Sequence, residues 1–185
     1  MKSKDIGPIL RRFLINTLFD STFMLLGITI GSAYLPNPNP SVILVTMISS
    51  SFALGISTGV SVYESESMER ERRIAELEKA LFRDLNNTKI EEEAKTATSI
   101  ISLINFLTPL FSCAVIASPF FLVFLRILDI AIARLLSVGF AMGIIFFAGV
   151  YLGRVGTTNP WIKGLKMVAF GFLAFLICFL IQALV

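Results

Sequence analysis

Long apolar runs broken by short polar stretches dominate the chain, and five of them are long enough to cross a bilayer. A crossing helix takes roughly 20 apolar residues at about 1.5 Å rise each. The runs cover about 10–34, 41–62, 98–125, 131–153 and 165–184. Each ends at a charge, a proline cluster or a Gly/Asn/Pro loop. The link Leu35-Pro-Asn-Pro-Asn-Pro40 is too short and too rich in proline for anything but a tight turn between antiparallel helices. Arg126, Asp129 and Arg134 leave the fourth boundary free to slide by several residues.

Between the second and third runs, residues 63–97 read differently. From Glu64 to Leu85 the chain is rich in helix formers and holds no proline or glycine. Ile74, Leu77, Leu81 and Leu85 recur at spacings of three and four, which predicts one apolar stripe on an otherwise charged helix. Asn86 and Asn87 suit a helix end, and Thr88-Lys-Ile-Glu91 fits a capping box opening a helix that runs on into the third span. The predicted fold is therefore an all-α integral membrane protein. Residues 1–185 form one membrane domain of five transmembrane helices, with a short charged helical insert at 63–97.

Composition agrees with that class. The 185 residues are 55% hydrophobic with a mean hydropathy of +0.80, and only 16% are charged, against about 25% in soluble domains. Charge distribution then sets the expected orientation. Fourteen of the sixteen lysines and arginines fall in the N-terminal tail, the 63–97 insert and the loop before the fifth span; only Arg126 and Arg134 lie on the other side. The positive-inside rule puts the N-terminus and the insert in the cytoplasm and the C-terminus outside, most simply in the cell membrane. The basic pI of about 9.0 then reflects orientation in a bilayer, and no nucleic-acid partner is expected. The first apolar segment is too long for a cleavable signal peptide and reads as an uncleaved anchor.

Asp20 is the residue that raises a functional question. It sits inside an otherwise uncharged stretch, Phe13 to Leu35, about two turns below Arg11 and Arg12. Ionisable groups at that depth are costly and usually line a pathway or pair with a partner. Asn16, Asp20 and Met24 recur every four residues, so they share one helix face with an amide, a carboxylate and a thioether. That donor set suits a borderline transition metal such as Fe²⁺ or Mn²⁺ better than Na⁺ or an organic solute. In the insert, Glu66 and Glu69 lie three apart with Met68 beside them, a second possible cation site. The competing reading makes these glutamates a solvated face, with Glu69 pairing Arg73 and Glu76 pairing Lys79.

Other chemistry has little support. Cys113 and Cys178 fall within spans and read as small apolar packers. There is no histidine, and no nucleophile–base pair or phosphate loop is visible, so an enzyme is not expected. The second span is polar, with Ser49, Ser50, Ser51, Ser57, Thr58 and Ser61. Gly55/Gly59, Gly139/Gly143 and Gly149/Gly153 are small-xxx-small pairs that permit close helix approach, within or between subunits. Asn105, Pro109 and Pro119 add a polar amide and possible kinks to the third span.

Taken in order, these features resemble the vacuolar iron transporter family. The spacing from Asp20 to Gly31, the stretch Ala53-Leu-Gly-Ile-Ser57 with Tyr63 and Ser65, Ser118-Pro119-Phe120, and Gly164-Leu-Lys-Met167 with Gly171 are similar to that family's motifs. Where the family has a second-span methionine and a glutamate before the tyrosine, this chain has Thr58 and Val62. Met24 and Glu64 are the nearest substitutes. The resemblance implies a homodimer in the lipid bilayer that exports its ion from the cytoplasm. The donor set points to divalent metal, Fe²⁺ or Mn²⁺, with no permanently bound cofactor, and a carboxylate that binds metal only when ionised opens the option of proton coupling. Asp20 would be the ligand midway along the path, Asn16, Met24, Ser57 and Thr58 would flank it, and Glu64, Glu66, Met68 and Glu69 would form the cytoplasmic entry. The alternative is a non-transporting membrane scaffold that offers the leucine stripe of the insert to a partner. Transport of another small cation or an organic solute is a third expectation.

Overall fold

The architecture comes from a computed structural model, which describes residues 6–82, 89–156 and 159–184. The described residues form five helices and no strand: α1 (Ile6–Ala33), α2 (Pro40–Leu81), α3 (Lys89–Phe124), α4 (Ile130–Val155) and α5 (Pro160–Leu184). All five are long and apolar enough to cross a membrane.

The turns follow from local chemistry. Asn39 caps α2 by accepting the Ser41 backbone N–H on its side chain at 3.0 Å, and Pro40, whose missing N–H costs nothing there, opens the helix. Between α3 and α4 the sliding boundary is fixed by two devices. Arg126 takes a left-handed φ of 58°, and the N–H groups of Arg126 and Ile127 return to the carbonyls of Val123 and Leu122. That is a Schellman closure. Asp129 then caps α4 by accepting the Ile130 N–H at 2.8 Å.

α2 and α3 continue past the length of a span. At ~1.5 Å per residue the 42 residues of α2 extend about 63 Å, twice the roughly 30 Å of a hydrocarbon core. Its C-terminal half and the N-terminal part of α3 form an antiparallel extension of the bundle. α2 ends at Leu81, short of the expected Leu85, where Phe82 adopts φ 51° and its N–H bonds to the Glu78 carbonyl. The helix end expected at Asn86–Asn87 and the start of the capping box at Thr88 lie outside the described residues.

The core gathers Leu25, Leu26 and Ile30 of α1 with Met47 of α2, Ile116 and Phe120 of α3, and Ala133 and Ala141 of α4. Two of the three small-residue pairs work inside the chain. A Cβ on Gly55 would lie 2.7 Å from the Phe106 carbonyl oxygen of α3, and one on Gly153 would lie 2.5 Å from Cα of Pro160 of α5. A Cβ on Gly139 or Gly143 would meet nothing within 4 Å among the described residues. α5 buries only Gly164 and Gly171, so nearly all its large side chains point away from the bundle. The outer surface of the spans is correspondingly apolar, with Phe111, Leu135, Phe147, Leu165 and Leu180 all more than half exposed.

Candidate functional site

α1 touches all four other helices, and its two sides have opposite chemistry. The inward side carries a ladder of hydroxyls. Thr17 donates to Asn105 Oδ1 at 2.9 Å, and Asn105 Nδ2 donates in turn to the Ile101 carbonyl at 2.9 Å. One turn on, Ser21 donates to Ser112 Oγ at 2.9 Å. Further along, the hydroxyls of Thr29 and Ser137 approach to 3.3 Å, and Ser137 donates to the Ile116 carbonyl at 2.9 Å. Thr17, Ser21, Thr29, Asn105, Ser112 and Ser137 are all buried. In an apolar setting each such bond matters because an unpartnered polar group there is costly. No signal in the sequence separated these hydroxyls from the many that bond only to their own helix.

The outward side is different. Asn16 and Asp20 are exposed, Gly27 is half-buried and Gly31 is exposed. Among the described residues nothing hydrogen-bonds to or ion-pairs with the Asp20 carboxylate. It is therefore not sealed in a dry corner of the bundle. Met24 turns further inward and packs half-buried against the core. Beyond Asp20 the same face opens into a cleft of about 670 Å³ between α1 and α5, lined by Gly27, Gly31, Leu35, Cys178, Ile181 and Gln182 among others.

The remaining candidates do not gather around Asp20 by any bond. Ser57 is exposed. Thr58 faces α3: its hydroxyl lies 2.9 Å from the Leu54 carbonyl and 3.3 Å from that of Asn105, so its proton is taken up by backbone.

The proposed entry residues are likewise dispersed. Glu66 is buried and sits 3.8 Å from Arg70 Nε, with both side chains 7% exposed. Glu69 pairs with Arg73 at 3.2 Å on the outside, as the solvated-face reading expects. Glu64 and Met68 are exposed. Glu76 pairs with Arg72 at 3.3 Å, not with Lys79. Among the described residues of one chain, no three acidic or cysteine side chains come together to hold a metal ion.

Glu66 departs from expectation for a simple reason. On α2, Gly55, Gly59, Val62, Glu66 and Arg70 form one buried line; at Gly55 and Gly59 it packs against Phe106 of α3, and Ser102 of α3 anchors it by donating to the Gly59 carbonyl at 2.7 Å.

No family model and no solved structure matches the chain. It is similar to an uncharacterized protein of Methanocaldococcus jannaschii, 29% identical over 174 residues that cover 92% of this chain and 87% of that protein.

Proposed function

We propose that the chain is a multi-pass membrane protein whose two copies meet along α1 to form a path for divalent metal ions. The observation that carries this reading is the outward Asp20 carboxylate, which has no hydrogen bond or ion pair among the described residues. Asp20 follows Arg12 by two turns, about 12 Å deeper along the helix. Its side chain is too short to reach water from there, and a carboxylate facing lipid is unstable. A second copy covers it most economically. In a two-fold contact along this face each Asp20 lies near its own counterpart. Two carboxylates brought together in a dry setting repel unless a cation neutralises them. The exposed amides of Asn16 would stand one turn away and complete an oxygen-rich set suited to Mn²⁺ or Fe²⁺.

The order of motifs resembling the vacuolar iron transporter family supports the same reading, and export from the cytoplasm is taken from that resemblance. Protons would compete with metal for the Asp20 carboxylates, which couples metal affinity to pH. In liposomes loaded with a metal-sensitive dye, the wild type should carry Fe²⁺ and Mn²⁺ and Asp20→Asn should not. Equal flux in both would remove Asp20 from the mechanism.

A second reading rests on the extension of α2. Leu77 is 44% exposed and Phe82, just past the helix end, is 97% exposed, which leaves apolar surface at the end of a charged helix. A scaffold would use it to hold a partner. Leu77→Ser would then abolish co-purification of that partner, whereas a transporter would keep its metal flux.

A further inference from the structure

The N-terminal part of α1 and the junction of α4 with α5 bring cations and aromatic rings to one place. A cleft of about 300 Å³ is lined by Phe146, Phe147, Val150, Tyr151, Arg154 and Trp161. Arg11 of α1 reaches it from the side, its guanidinium 6.0 Å from the centre of the Tyr151 ring. Among the described residues, the buried Arg11 Nε has no hydrogen-bond partner. Among the described residues neither Arg11 nor Arg154 is ion-paired with a carboxylate. Phe147 is 73% exposed two turns before Arg154, so the cleft runs from a cationic mouth onto an apolar wall.

We propose that this cleft seats an anionic glycerophospholipid, its phosphate between Arg11 and Arg154 and one acyl chain along Phe147. The inference rests on the membrane reading above, which puts these helix ends at the cytoplasmic interface. There the leaflet is negatively charged and basic side chains draw acidic headgroups. Tyr151 and Trp161, each with an apolar body and a polar edge, suit the same depth. A soluble anion would satisfy the two guanidinium groups but leave the Phe147 wall unused, and a zwitterionic lipid would bring its own cation to a mouth that already holds two.

Trp161 is the only tryptophan in the chain and lines the cleft, so its fluorescence reports the occupant. The protein would be reconstituted in phosphatidylcholine vesicles containing a minor fraction of either dibrominated phosphatidylglycerol or dibrominated phosphatidylcholine. The wild type should show a severalfold stronger quenching by the anionic lipid. Arg11→Gln with Arg154→Gln should equalise the two lipids, while Arg11→Lys with Arg154→Lys should restore part of the preference. Lys166→Gln, nearly two turns into α5, should leave it intact. Equal quenching of the wild type by both lipids, or a preference that survives the double glutamine variant, overturns the site. Absence of quenching by either lipid overturns the membrane placement of Trp161 and the site with it.

Discussion

Thr17 and Asn105, 88 positions apart, are joined by a 2.9 Å hydrogen bond that ties α1 to α3 in the interior of the bundle. Asn105 is fully buried and also donates to the Ile101 carbonyl. Asn105→Leu removes both bonds and leaves the Thr17 hydroxyl without its acceptor. The cost should be about 1–2 kcal/mol, the scale of interhelical bonds in membrane proteins plus one unsatisfied group. Thr17→Val in the same background should add little, because its partner is already gone. Unfolding titrations of the single and double variants in mixed micelles check this.

Gly31 and Gly153 are both glycines in helices, and they should respond oppositely to enlargement. A Cβ at Gly31 meets nothing within 4 Å inside the protomer, while one at Gly153 runs into Pro160. Gly153→Leu should therefore destabilise the protomer by at least the roughly 1–3 kcal/mol of an overpacked contact. Gly31→Leu should leave protomer stability nearly unchanged yet weaken a dimer built on the α1 face. Thermal unfolding separates the first effect, and light scattering in detergent separates the second.

Glu66 and Arg70 form a buried pair in which, among the described residues, the guanidinium nitrogens make no hydrogen bond. Removing one partner strands the other charge. Arg70→Met alone should cost on the order of 3–5 kcal/mol, and Glu66→Leu with Arg70→Met should recover most of that loss. A double-mutant cycle read by chemical unfolding tests it. Failure of the double variant to recover would mean that the charges serve something other than each other.

The helices, the Pro36–Pro40 turn and the close packing at Gly55 and Gly153 were all legible in the chain, because period, prolines and small-residue spacing act locally. The four-residue spacing also put Asn16 and Asp20 together on one face. What the spacing could not supply was the direction of that face, which depends on where α3, α4 and α5 settle around α1. Met24 turned toward the core for the same reason. Glu66 read as a ligand at a mouth because the span seemed to end at Val62. The line at spacings of three and four from Gly59 through Val62 to Glu66 and Arg70 would have shown the buried face running on.

The most direct test of the central claim places a cysteine at the carboxylate position. Cys178 lines the neighbouring cleft and is replaced first, while Cys113 is buried and left in place. With Asp20→Cys in membranes, mild oxidation should link two copies into a covalent dimer, and Phe147→Cys on the exposed side of α4 should not. Efficient linking through position 147 and none through position 20 would contradict the account, because the carboxylate would then face lipid or a different partner and not its own copy.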